Sequence, residues 1–142
     1  MKKYILTLIL IPLFFGCSNT NIIENGVFKK WEKCKVGSGC IIDIAEITNF
    51  QWDTMCFYSG SYSLDEINRD LGFKLKEYTD IGDRLIFLNK GKLVYQEEWF
   101  TNPSEHSKEV VFNDKRRKFR LSKCHVKFRI KRRHRIYTLI GI

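Results

Sequence analysis

Proline is nearly missing from this sequence, with two residues among 142, and histidine occurs only three times. A chain so poor in proline, with no internal repeat and no low-complexity tract, is neither a disordered linker nor a solenoid. Its 44% apolar and 14% aromatic content is that of an ordinary globular core. No apolar run reaches the ~20 residues that a helix needs to cross a bilayer of ~30 Å. Cys-x-x-Cys spacing is absent, which argues against zinc. There is no Ser-x-Gly elbow and no carboxylate pair at catalytic spacing. Gly37, Gly39, Gly60, Gly82 and Gly91 all fit turns rather than a phosphate-binding loop. His106 lies in a polar loop, His125 on a basic strand and His134 in an arginine-rich turn, while Asp43, Glu46, Asp53, Asp80, Asp83, Glu97 and Glu98 are scattered along strands and turns. Trp31, Trp52 and Trp99 read as core. No catalytic residue, metal or cofactor is therefore assigned, and a small hydrolase ranks last among the functions considered.

What the chain does have begins at its first residues. Lys2 and Lys3 give a positive start, and Tyr4 to Phe15 is an apolar run of about a dozen residues broken only by Thr7. That is the size of a signal-peptide core, and Leu13-Phe14-Phe15-Gly16-Cys17 closes it. The segment resembles the lipobox of bacterial lipoprotein precursors, with Phe14 and Phe15 bulkier than the residues usual there. The resemblance implies removal of residues 1–16 and acylation of the Cys17 thiol. Residues 17–26 would then be the acylated cysteine and a polar tether, and residues 27–142 the folded domain. Ser18 stands where an inner-membrane lipoprotein of a Gram-negative cell commonly has Asp, so the resemblance implies an outer-membrane protein facing the periplasm if the cell has that membrane. The 126 residues from Cys17 onward suffice for one domain, and losing Lys2 and Lys3 takes the formal charge from +9 to +7.

The rest of the chain predicts a single α+β domain, a mainly antiparallel sheet carrying one short helix over about 64–71. Val27–Lys35 and Ile41–Thr48 read as strands flanking Val36-Gly37-Ser38-Gly39, and Phe50–Tyr58 as a third. Ser63-Leu-Asp-Glu66 is a capping box with Tyr62 and Ile67 at the staple positions, followed by a stripe of Leu64, Ile67 and Leu71 and a Gly72 stop. From Phe50 to Gly72 the pattern is similar to small exported bacterial proteins of unknown function, a resemblance that brings no activity with it. Leu85–Leu88 and Leu93–Phe100 predict a hairpin central in the sheet. Val110–Phe112 predicts a short strand. Phe119–Ile130 and Ile136–Ile142 predict a last hairpin, with Cys124, Val126, Phe128 and Ile130 on one side and a bulge near Ser122-Lys123.

Two constellations stand out. Cys34, Cys40, Cys56 and Cys124 in an exported domain allow up to two disulfides, predicted as Cys34–Cys40 and Cys56–Cys124, with free buried thiols as the alternative. The stretch from Lys115 to Arg135 carries twelve cations and no acid: Lys115, Arg116, Arg117, Lys118, Arg120, Lys123, Lys127, Arg129, Lys131, Arg132, Arg133 and Arg135. On a strand with an apolar reverse side they predict one positive surface, suited to an acidic protein or to anionic lipid. The strand period assigns Phe119, Phe128 and Tyr137 to the core, which argues against base stacking and nucleic acid. The leading expectation is a non-catalytic, lipid-anchored binding protein of the cell envelope, of the inhibitor or immunity type. The alternative is a structural or assembly lipoprotein whose basic face rests on anionic lipid.

Overall fold

The computed structural model describes residues 21–34, 39–76, 82–100 and 109–142. Cys17 and the whole of the lipobox, the tether to Thr20, and His106 lie outside these residues.

The domain is α+β and mainly sheet. Its elements are α1 (Ile22–Lys33), β1 (Cys40–Asp43), α2 (Ile44–Ile47), β2 (Thr54–Tyr58), α3 (Leu64–Leu71), β3 (Asp83–Asn89), β4 (Lys92–Trp99), β5 (Glu109–Phe112), β6 (Lys118–Ser122), β7 (Lys127–Arg133) and β8 (Ile136–Gly141). They form two four-stranded sheets, ordered β1-β7-β8-β5 and β4-β3-β2-β6. Among the described residues only the β5–β8 pairing is parallel.

The inner faces of the sheets meet in one apolar core. Ile42, Val110, Phe128, Ile130, Tyr137 and Leu139 come from the first sheet, and Met55, Phe57, Leu85, Phe87, Trp99 and Phe119 from the second. A smaller cluster lies behind the second sheet, where Ile67 of α3 packs on Cys56, Tyr58, Ile86 and Leu88. The capping box is formed: Glu66 N–H donates to Ser63 Oγ at 3.4 Å and Ser63 N–H to Glu66 Oε2 at 2.9 Å. Gly72 ends the helix at φ +80°, a conformation that a side chain would strain.

The first expected strand is instead α1, which begins at Ile22, inside the expected tether. Ile23 and Val27 are fully buried one turn apart, and Phe28 and Trp31 continue the face onto the Tyr137 ring. Asn21 provides no side-chain cap. Glu97 of β4 does it from across the fold, accepting from Ile23 N–H and Glu24 N–H, both at 2.9 Å. Trp99 Nε1 and the Tyr95 hydroxyl donate to the same buried carboxylate at 2.7 and 2.8 Å. The helix also lies close on α2, because a Cβ on Gly26 would stand 2.5 Å from Ile47 Cδ1. The strand expected over Ile41–Thr48 is likewise shorter, giving way to α2 after Asp43, whose carboxylate accepts from Ala45 N–H at 2.9 Å.

Two further expectations change. The β3–β4 hairpin forms, and β3 is central, but β4 is an edge strand with Leu93 and Val94 exposed. The phase change between Phe119 and Val126 is not a bulge. The chain leaves the second sheet at Ser122, makes a 3-10 turn over Lys123–His125 and enters the first sheet at Lys127. Phe119 and Phe128 therefore both reach the core, from opposite sheets.

Candidate binding surface

The first sheet has one covered face and one bare one. Across it Ile41 pairs with Arg129, which pairs with Ile140; Asp43 pairs with Lys127, Lys131 with Thr138, and Arg133 with Ile136. Paired residues project to the same side. Lys127, Arg129, Lys131 and Arg133 thus form a row on β7, about 20 Å long at the strand rise, with Ile41, Ile136 and Ile140 beside it. Ile41 is 43% exposed and Ile136 42%, so no described element lies over them.

This row carries little compensating charge. Asp43 Oδ2 is 3.8 Å from Lys127 Nζ, and an ion pair of that exposure is worth at most ~1 kcal/mol. Arg129, Lys131 and Arg133 have no acidic partner among the described residues. Arg132, on the same strand, turns to the other side, where its guanidinium sits 5.3 Å from the Tyr137 ring centroid and its Nε donates to His134 O at 2.9 Å. His134 has φ +55° and with Arg135 makes the two-residue turn of the last hairpin, tighter than the five-residue loop expected.

The remaining cations are elsewhere, so the single positive surface expected from the sequence is two. Lys118 and Arg120 belong to β6 in the second sheet and gather round Asp70 of α3. Lys118 Nζ donates to Asp70 Oδ1 at 2.9 Å, the Tyr58 hydroxyl to Oδ2 at 2.6 Å, and Arg120 Nη2 to the Asp70 carbonyl at 3.4 Å. The hydrogen bond from Lys118, then that from Tyr58, hold the Asp70 carboxyl below the usual range, while burial pushes the Tyr58 phenol up. Arg116 is bound to Asp114 through Nε and Nη2 at 2.6–3.1 Å, which lowers that carboxyl too. Lys115 and Arg117 flank it in the exposed β5–β6 connection. Lys123 lies 5.3 Å from the Trp52 ring centroid. The sheet change at Lys123–His125 causes the division.

The cysteines divide as well. Cys34 and Cys40 are bonded, S–S 2.04 Å, which ties the end of α1 to the start of β1. The predicted Cys56–Cys124 bridge is not formed. Cys56 faces Arg120 in the β2–β6 register and is buried against α3, whereas Cys124 is exposed in the 3-10 turn, after the chain has left that sheet. Burial pushes the Cys56 thiol up.

Cys124 has company that the sequence did not reveal. His125 Nδ1 is 2.8 Å from Ser122 Oγ and 3.3 Å from Cys124 Sγ. A nucleophile beside an imidazole is the start of a catalytic arrangement, but no carboxylate orients this ring among the described residues. His125 and Asp114 both line a cavity of about 230 Å³ between the sheets, where Asp114 is already held by Arg116. Trp52 and Trp99 are core, as expected. Among the described residues no three His, Cys, Asp or Glu side chains gather as they would round a metal ion, and no helix is long and apolar enough to cross a membrane.

Fold and surface together define a two-sheet α+β domain, helix-backed on one side and cationic and bare on the other. No family model, curated protein or solved structure matches the chain.

Proposed function

We propose that this chain is a lipid-anchored protein of the bacterial cell envelope that acts without catalysis, docking an acidic protein on the outer face of the β1-β7-β8-β5 sheet in the manner of an inhibitor or immunity protein. The anchor in this reading is Cys17, from the lipobox-like segment. The observation that carries the docking surface is the row of Lys127, Arg129, Lys131 and Arg133, exposed and set between uncovered isoleucines. A buried row would need its charges paired, whereas this one combines cations largely unpaired among the described residues with exposed Ile41 and Ile136 on one flat face, the mixture a protein-docking patch uses. Charge of one sign speeds encounter with an oppositely charged partner, and the flat apolar positions supply area once it has docked.

Affinity capture from envelope extracts, using the chain from Ser18 onward, tests the docking. The expected result is an acidic protein retained by the wild type and lost from Arg129→Glu/Lys131→Glu. Identical capture by both, or capture of no acidic protein by either, would overturn it in favour of another surface or another role for this sheet. The anchor is tested separately in cells, where Cys17→Ala should abolish palmitate labelling and membrane partition. Unchanged labelling and partition would remove the envelope location.

A further inference from the structure

The exposed side of α1 bears a groove of about 540 Å³ against α2, within the roughly 300–1,000 Å³ of ligand clefts. Ile22, Gly26 and Ile47 form its apolar part, and Lys29, Lys30 and Lys33 supply its charge. Among the described residues no carboxylate lines it. The groove begins at Ile22, which only four residues separate from Cys17 in the sequence, and the five extended steps between them span at most ~18 Å.

We infer that this groove is the membrane-facing surface, seating the phosphate of an anionic phospholipid headgroup on Lys29, Lys30 and Lys33 and fixing the orientation of the domain on its anchor. The inference rests on the reading of Cys17 as acylated. The helix N-terminus is fixed to Glu97 and Tyr95 of the second sheet. Packed sheets lie ~10 Å apart, so laying the outer face of the first sheet on the bilayer would use most of the tether's extended length. Resting on α1 uses little of it. Because α1 packs on Tyr137, on the core side of the first sheet, the bare row on β7 then stays clear of the bilayer and open to a soluble partner.

The test is co-sedimentation of the chain from Ser18, which contains every described element and no acyl group, with phosphatidylcholine vesicles with and without phosphatidylglycerol. Binding is expected only with phosphatidylglycerol. Lys29→Gln/Lys30→Gln/Lys33→Gln should weaken it by roughly a hundredfold, from the contribution of each lysine near an anionic surface. Arg129→Gln/Lys131→Gln/Arg133→Gln, with the same loss of charge, should keep most of it. Equal loss in both variants, greater loss in the sheet variant, or no binding to anionic vesicles would overturn the assignment. A second measurement needs no lysine variant. In a Cys124→Ser background, a fluorophore on Asn25→Cys should be quenched by brominated lipid and one on Ile136→Cys should not; the reverse refutes the orientation. None of these chains is acylated, so their failure leaves the Cys17 reading standing, and failure of the cellular Cys17→Ala test leaves these results standing.

Discussion

Replacing Glu97 with Gln should be among the most destabilising single changes available in this domain. The carboxylate is 3% exposed and receives four donors: Ile23 N–H and the Tyr95 hydroxyl on Oε2, Glu24 N–H and Trp99 Nε1 on Oε1. An amide keeps one oxygen and turns an NH₂ toward two of those donors. Whichever way it is flipped, one main-chain N–H of α1 and one side-chain donor lose their acceptor. Each buried donor left unpaired costs about 1–3 kcal/mol, and the charge that complements the helix dipole is lost as well. The sum is about 3–5 kcal/mol, a large share of the 5–15 kcal/mol typical of a whole domain. Urea unfolding followed by far-UV circular dichroism should show the midpoint falling at unchanged slope. Native-state hydrogen exchange should show the Ile23 and Glu24 amides losing protection before β3 does. Tyr95→Phe removes one donor to Glu97 and the acceptor of the half-buried Ile22 N–H, but leaves the Glu97 contacts to Ile23, Glu24 and Trp99 in place, so it should cost less, about 1–2 kcal/mol. A Glu97→Gln loss below about 1 kcal/mol, or one no larger than that of Tyr95→Phe, would show that α1 is held by its apolar face alone.

Other expectations concern single groups. Cys34→Ser/Cys40→Ser opens a loop closed over a sequence separation of 6, which the chain-entropy relation values at about 2 kcal/mol; chemical denaturation with and without reductant measures it. Asp70 has a folded pKa below its unfolded one, so its stabilisation is present above the ordinary aspartate range and lost as pH falls through the folded value. Asp70→Asn should accordingly flatten the acid limb of a stability–pH curve. Glu24 has the opposite sign, since burial raises its carboxyl. Its contribution is present below the unfolded pKa and is lost as pH rises through the folded value, so Glu24→Gln should gain stability at neutral pH relative to pH 4. In the chain from Ser18, a thiol reagent should modify Cys124 at once and Cys56 only on unfolding; two fast thiols would contradict the burial of Cys56.

How much could be foreseen depended on how far each signal lay from the element it shaped. The α3 helix was readable because the capping box, stripe and terminating glycine fall between Ser63 and Gly72. The α1 helix was not, since its cap is contributed by Glu97, more than seventy residues on, and Val27, Phe28 and Trp31 are equally at home in a strand. The buried positions Ile23 and Val27 did hold the helical period, but the polar residues before Val27 suggested a tether and the glycines before Cys40 a turn between strands. The alternation of Lys127, Arg129 and Lys131 with Phe128 and Ile130 gave the face of β7 directly. That Ile41 would stand beside Arg129 was out of reach, because pairing between residues so distant is decided by the whole sheet. The phase slip after Leu121 was visible, and its cause was not: a slip within one strand and a passage between two layers leave the same mark on a sequence.

The pairing of β1 with β7 bears on how the molecule is assembled. All four strands of the second sheet and α3 have been synthesised by Ser122, whereas β1 has no strand beside it until Lys127–Arg133 arrives. Loop closure between such remote segments is slow relative to the local hairpin of β3 and β4. The half built on β3 should therefore condense first and serve as a template, with the amino-terminal third waiting, unlatched, for the carboxyl end. Pulse-labelled exchange during refolding should protect Met55–Tyr58 ahead of Ile42. On the export proposed above, the first sheet can close only after Lys127–Arg133 has followed β1 across the membrane.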